Sequence, residues 1–206
     1  MVGQTEKSRA SRRRLLDAAT AALVEGEGAF GLKAVAAQAG VSVGLIYARF
    51  GSKAGLAASV VDAFYDRLQE AIHLPGSGSL PWHERERERI RRLVEFLYRD
   101  PLTNIVFGPL EQDPGVAAIA TQRWNDLIDL GTRNVAHGQA RGEIPADREP
   151  AVVSAIINGG LRHGLQRALS SPRPPGPQQL FEEIWAFTEG GLKHGGALHG
   201  SAGVGR

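Results

Sequence analysis

Two short apolar periodicities meet at a glycine within Leu32–Phe50, LKAVAAQAGVSVGLIYARF, and no other stretch limits the fold as tightly. Leu32, Val35, Ala36 and Ala39 recur at i, i+3, i+4 and i+7, one apolar face of a short helix. Gly40 ends that helix, because glycine takes the left-handed conformation at a C′ position without steric cost. Ser42 then has the side chain to cap a second helix, whose inner face is Ile46 and Phe50. Ala36, Gly40, Val41 and Ile46 form the packing set of a helix-turn-helix; a residue larger than alanine near position 36 would push the two helices apart. The outer face of the second helix carries Val43, Gly44, Tyr47 and Arg49, a mixed set suited to a DNA major groove. On these residues alone two readings stand, a DNA-binding helix-turn-helix and an ordinary helical hairpin in a bundle.

The segment AGVSVGLIYARFGSKAGL resembles the signature of TetR-family transcriptional regulators, whose usual form is close to AGVSxGxxYxxFxSKxxL. The resemblance runs without gaps over residues 12–68; the remainder matches in size and helical character. A TetR/AcrR-like resemblance implies an all-α fold of about nine helices, the count that apolar periodicity along the chain also suggests. It implies an N-terminal three-helix DNA-binding domain over residues 1–56, with the helix-turn-helix at 31–50. A helical ligand-binding and dimerisation domain is expected over 57–194 and a disordered tail over 195–206. The implied function is a transcriptional regulator, a repressor, that binds a palindromic double-stranded operator as a homodimer. The final two long helices would form the dimer, and a small molecule would release the DNA.

The DNA-facing residues expected on this reading are Lys33, Ser42, Val43, Gly44, Leu45, Tyr47, Arg49 and Lys53. Tyr47 can donate its hydroxyl to a phosphate while its ring packs at the helix edge, and Lys53 stands at the positive end of the next helix. Gly44 permits close approach to base edges and Leu45 can touch a thymine methyl. Lys33 is a candidate for phosphate or guanine, and so is Arg49. Three positions depart from the family pattern. Gly31 stands where threonine is usual and removes a hydroxyl; Arg49 replaces histidine or another polar residue; Ala54–Gly55 replaces an acid after the lysine, so a looser start to the fourth helix is expected.

Charge supports a basic head. Residues 1–56 hold eight Lys or Arg against four acids, whereas the remainder carries 16 against 18. Arg9, Arg12, Arg13 and Arg14 fall near the start of a first helix expected over 11–26; a phosphate or minor-groove contact and a solvated helix start are both open. The absence of cysteine excludes disulfides and thiolate chemistry. No apolar run approaches the length of a membrane span, and the polar, Arg-rich start is unlike a signal peptide, so a cytoplasmic location without membrane contact is expected.

Along the body, Leu56, Val60, Phe64 and Leu68 recur every four residues. The stretch HERERERIRR at 83–92 pairs opposite charges at i+3 and i+4 and reads as a solvated helix start. Further helices are expected near 102–107, 116–141, 150–169 and 178–193. The last two are too apolar for one stripe each: Ile156, Ile157, Leu161 and Leu165 join Leu180, Ile184 and Trp185, while Gly159, Gly160 and Gly164 permit close backbone approach. A symmetric four-helix interface between two copies and a monomer with one thick core both fit that pattern. Phe64, Phe96, Phe107, Trp124 and Ile128, with His163 as a polar contact, are candidates for lining an effector pocket, against an ordinary core role. No catalytic residues, cofactor or metal site are expected: the histidines lack HExxH-type spacing and the serines lack a nucleophile elbow. The competing function is a helical small-molecule-binding protein or enzyme whose N-terminal module is only an interaction surface.

Overall fold

The computed structural model describes residues 2–193; Met1 and the Gly-rich stretch after Lys193, including the expected tail, lie outside the described residues. The described residues form α-helices α1 (Val2–Glu25), α2 (Leu32–Ala39), α3 (Val43–Phe50), α4 (Lys53–Ile72), α5 (Trp82–Arg99), α6 (Thr103–Val106), α7 (Pro114–Ala140), α8 (Pro150–Leu169) and α9 (Pro177–Lys193), with 3₁₀ turns at Ser77–Ser79 and Pro109–Gln112. No strand occurs among them, and none of these helices is long and apolar enough to cross a membrane. The all-α expectation therefore holds.

Two compact units emerge. One comprises residues as far as Glu70 together with Arg99–Trp124, the other Ala71–Tyr98 together with Asn125 onward. In the first, α1 packs on α2 and α2 on α3. Leu15, Ala19, Leu23, Val35, Ile46, Leu56, Val60 and Phe64 are wholly buried there, matching the helical periodicities read from the sequence. The Phe64 ring meets Tyr65 and Phe107 edge-on, at centroid distances of 5.4 and 6.3 Å. Arg123 of α7 grips α4, with Nε 2.9 Å from Asp62 Oδ1 and its terminal nitrogen on the Asp66 carboxylate. Arg67 of α4 binds Asp100 through Nε and Nη2, at 3.1 and 2.7 Å. The first helix starts at Val2 rather than near Ser11, so the arginines at 9–14 occupy interior turns and not the first one.

In the second unit, Trp82, Val135, Ile144 and Val153 form a core cluster with Ile157 and Leu192 against it. Gly131 on α7 is required by close packing: an added Cβ would lie 2.4 Å from Ser154 Oγ, which donates to the Ile128 carbonyl at 2.7 Å. The start of α5 corrects the solvated reading. Arg85 and Glu86 are buried, Glu86 with 3% of its surface exposed. Arg85 donates to the Leu80 carbonyl and to Asn134 Oδ1 (3.1 Å). Glu86 accepts from Asn134 Nδ2 at 3.3 Å and from both ends of the Arg89 guanidinium, Nε at 2.9 Å. Burial alone would lower the Arg89 pKa; the charge and hydrogen bonds of Glu86 override it and hold the group above its usual value. Of the charge pairs expected along the ladder, Glu86–Arg89 and Glu88–Arg92 form, whereas Arg87 reaches Glu182 and Arg85 turns inward to Leu80 and to Asn134 of α7.

A contrast between neighbouring carboxylates follows. Glu86→Gln leaves the largely buried Arg89 guanidinium without its anion and should destabilise the protein by about 3–5 kcal/mol. Glu88→Gln, at a partly exposed carboxylate shared by Arg91 and Arg92, should cost no more than about 1 kcal/mol. Urea unfolding of the two variants checks this order.

Candidate nucleic-acid interface

The turn between α2 and α3 is built as its residues require. Gly40 adopts φ 64°, ψ 41°, and its N–H returns to the Ala36 and Ala37 carbonyls; the Val41 N–H also reaches the Ala36 carbonyl, at 3.0 Å. Val35, Ala36 and Ala39 are buried, so small residues face the crossing. Ser42 caps α3: its Oγ accepts from the Leu45 N–H at 3.2 Å. Only Ile46 of α3 is fully buried, and it fixes which face turns outward. At the far end Gly51, with φ 73°, donates to the Tyr47 carbonyl at 2.9 Å. Gly31 stands at the N-cap of α2 without any side-chain bond.

Gly44, Tyr47 and Ala48 are exposed and share one face of α3, with half-buried Val43 and Leu45 at its margins. Tyr47 exposes 52% of its surface, so it is not a core tyrosine. Ala48 is not among the DNA-facing residues expected from the sequence, although its i+4 relation to Gly44 could have found it. Lys33 is exposed in the first turn of α2. Lys53 is exposed at the start of α4, its Nζ 4.9 Å from the Phe30 ring centroid. That cation–π contact holds the ammonium at the head's surface without a carboxylate.

Arg49 behaves differently from its neighbours. Its guanidinium does not extend from the outer face of α3. Nη1 donates to the Ser8 carbonyl at 2.9 Å and Nη2 to Ser8 Oγ at 3.1 Å, joining the end of α3 to α1. Beside it, Arg12 lies over the Phe50 ring at 6.0 Å. At the start of α4 an N-cap meets a close backbone approach. Ser52 Oγ accepts from the Gly55 N–H at 2.9 Å, and the Phe50 carbonyl oxygen lies against the Gly55 Cα, 2.0 Å from where a Cβ would stand. Glycine replaces the family's acid here and admits that approach.

The effector candidates separate. Phe64, Phe107 and Trp124 are buried in the first unit. Phe96 and Ile128 are half-buried in the second. His163 is exposed, its Nδ1 3.0 Å from the Gly159 carbonyl of its own helix. None of the six lines either of the two cavities described for the second unit. The larger, about 810 Å³, runs along α8 and α9 between Ile156, Ile157, Leu180, Ile184 and Phe187. The smaller, about 390 Å³, lies by Trp82, Glu143 and Trp185.

With this geometry the likeness to known proteins becomes specific. Residues 15–60 match the sequence model of the bacterial regulatory proteins of the tetR family. No curated protein matches the sequence. Among solved structures, a protein described as a TetR-family transcriptional regulator from Syntrophomonas wolfei superposes with a TM-score of 0.74 at 16% identity, covering 88% of this chain and 94% of that one. The fatty acid degradation regulator FadR from Bacillus halodurans gives 0.71 at 17%, covering 89% and 97%. A TetR/AcrR-family regulator from Thermobifida fusca gives 0.67 at 22%, covering 86% and 95%. At these identities the structural likeness is one of fold. The chain is TetR/AcrR-like: its head carries the family's sequence pattern and its described helices follow the family's architecture. Together these support a DNA-binding transcriptional regulator.

The junction of α3 and α4 gives a test. Gly55→Ala would drive a methyl group into the Phe50 carbonyl, which is backbone and cannot swing aside. It should destabilise the head by about 1–3 kcal/mol and loosen the start of α4. Thermal unfolding and amide exchange at residues 51–56 check it.

Proposed function

We propose that this protein is a transcriptional repressor that binds a palindromic operator as a homodimer and is released by a small apolar or aromatic ligand. The observation that carries the reading is the capped, fully turned α3, which presents Gly44, Tyr47 and Ala48 from a head with a basic excess. Tyr47 and Lys53 bind phosphates; Lys33, Val43, Gly44 and Leu45 face the groove, where glycine brings the backbone near base edges.

The dimer reading rests on α8 and α9. Val152, Ile156 and Phe187 expose 54, 63 and 77% of their surfaces, an apolar display that solvent does not favour. On α8, Val152, Ile156, Gly160 and Gly164 recur every fourth residue, and a Cβ added at either glycine would meet nothing within 4 Å. One end of the stripe is a ridge and the other a notch. A two-fold axis across α8 sets the ridge of each copy into the notch of the other, as an isologous interface requires.

For release, the ligand must prefer the arrangement that cannot bind DNA, since differential affinity alone shifts the population. Phe64, Phe107 and Trp124 are packed as core, so an aromatic or apolar effector would enter among them by parting side chains that are buried without it. Helix α4, gripped by Arg123 and by Asp100, starts in the head at Lys53 and would carry a displacement there.

Selection of bound duplexes from a random pool at near-physiological salt should recover a palindrome with half-sites one helical turn or more apart. Recovery of no preferred sequence would count against the regulator reading. Ile156→Glu and Phe187→Glu, both at exposed positions, should leave the fold intact and shift the protein from dimer to monomer in sedimentation velocity. A dimer that persists in both variants would place the interface elsewhere.

A further inference from the structure

We propose that Arg49 is a positioning residue that fixes the basic segment Arg9–Arg14 of α1 as a second phosphate-binding element beside the recognition helix. The inference deepens the DNA-binding reading and rests on it. Its basis is the geometry at the end of α3. The Arg49 guanidinium holds both the carbonyl and the hydroxyl of Ser8, and Arg12, one turn further along α1, lies over Phe50. Ser8 and Arg12 therefore lie on the α1 face turned toward the end of α3. Arg9 and Arg13 stand one residue on, about 100° around the helix, and both are exposed.

Among the described residues, Arg9, Arg12, Arg13 and Arg14 make no ion pair, whereas Arg87, Arg89, Arg91 and Arg92 of α5 each hold a carboxylate. Like charges three and four residues apart oppose the helix that carries them. A polyanion laid along the head relieves that repulsion, and the duplex proposed for α3 is the polyanion at hand. Arg49 sits where the sequence leads one to expect a direct DNA contact, yet its fork is committed to α1. Its contribution to DNA binding is then indirect: without the clip, α1 frays through the turns that carry Arg9–Arg14 and these arginines no longer occupy fixed positions along the backbone.

The test uses the duplex recovered by selection and measures affinity against salt concentration by fluorescence anisotropy. Each phosphate that the protein no longer neutralises lowers the slope of log K against log salt by about 0.9. On the palindrome bound by a dimer, the double variant Arg9→Ala/Arg13→Ala removes two arginines from each protomer and should lower the slope by about 4. Arg49→Lys should lower it comparably, although it keeps the charge, because lysine cannot reproduce the two-pronged grip. Combining all three changes should add nothing further. Amide exchange in residues 8–14 of the free protein should rise in Arg49→Lys, and to a lesser degree in Ser8→Ala, which removes one acceptor. A wild-type slope in Arg49→Lys, or decreases that add, would overturn the proposal and make Arg49 a simple charge. Unchanged exchange in both clip variants would overturn it independently of DNA. If exchange rises but wild-type protein enriches no duplex, the clip is real, and the DNA reading falls together with the role proposed here.

Discussion

The backbone reversal at Gly40 fixes the angle at which α3 leaves the core, and the rest of the head is arranged around that angle. Its left-handed φ sends two successive N–H groups back to the Ala36 and Ala37 carbonyls, so the orphan acceptors at the end of α2 are satisfied within the turn. Two residues later Ser42 closes the opposite problem, the orphan donors at the start of α3. Neither device tolerates a large residue at the crossing, and Ala36 and Ala39 supply none. Because α3 is only eight residues long, its stability cannot come from its own hydrogen bonds. It comes from Ile46 driven into the core and from the caps, which together determine that Gly44, Tyr47 and Ala48 face outward.

Charge is distributed by the same logic of satisfaction. In α5 alternating Glu and Arg residues meet at helical spacing, and the pairing draws the Glu88 carboxyl down to about 2 through hydrogen bonding and attraction from Arg91 and Arg92, against the opposing effect of burial. That favourable energy is present above the ordinary carboxylate range and is lost as pH falls toward about 2. Among the described residues of the head, Arg9, Arg12, Arg13 and Arg14 pair with no carboxylate, and Lys53 leans on an aromatic ring. On the proposed reading, the paired arginines of α5 serve the fold and those of α1 await an external anion.

The helices and the head were legible in the sequence because their signals are local. Glycine at a reversal, serine before an apolar repeat and four-residue spacing of leucines act over one or two turns, and α2, α3, α4 and α8 lie where those signals put them. The failures share a cause as well. Arg49 reads as a groove-facing cation until Ser8, 41 residues away, takes both ends of its fork. Arg85 and Glu86 read as solvated until Asn134 of α7 comes alongside. Gly55 reads as the loss of an acid until the Phe50 carbonyl fills the space a side chain would need. Periodicity reports which face of a helix is apolar; it does not report which polar group will meet a distant partner.

The outer face of α3 also bears on what the proposed dimer would add. A face made of glycine, alanine and one tyrosine carries few hydrogen-bond donors for base edges, and each good base contact contributes only about 1–3 kcal/mol of discrimination. Sequence selectivity from one such helix is therefore small. Phosphate contacts from Tyr47, Lys53 and the arginines of α1 would raise affinity without reading sequence. Doubling the head through the proposed α8–α9 interface doubles the base contacts, and it adds a requirement on half-site spacing that no single helix can impose. On the proposed reading, the exposed ridge of Val152 and Ile156 and the open glycines beyond it are thus tied to the modest chemistry of α3, because a recognition surface this plain would gain its discrimination from geometry.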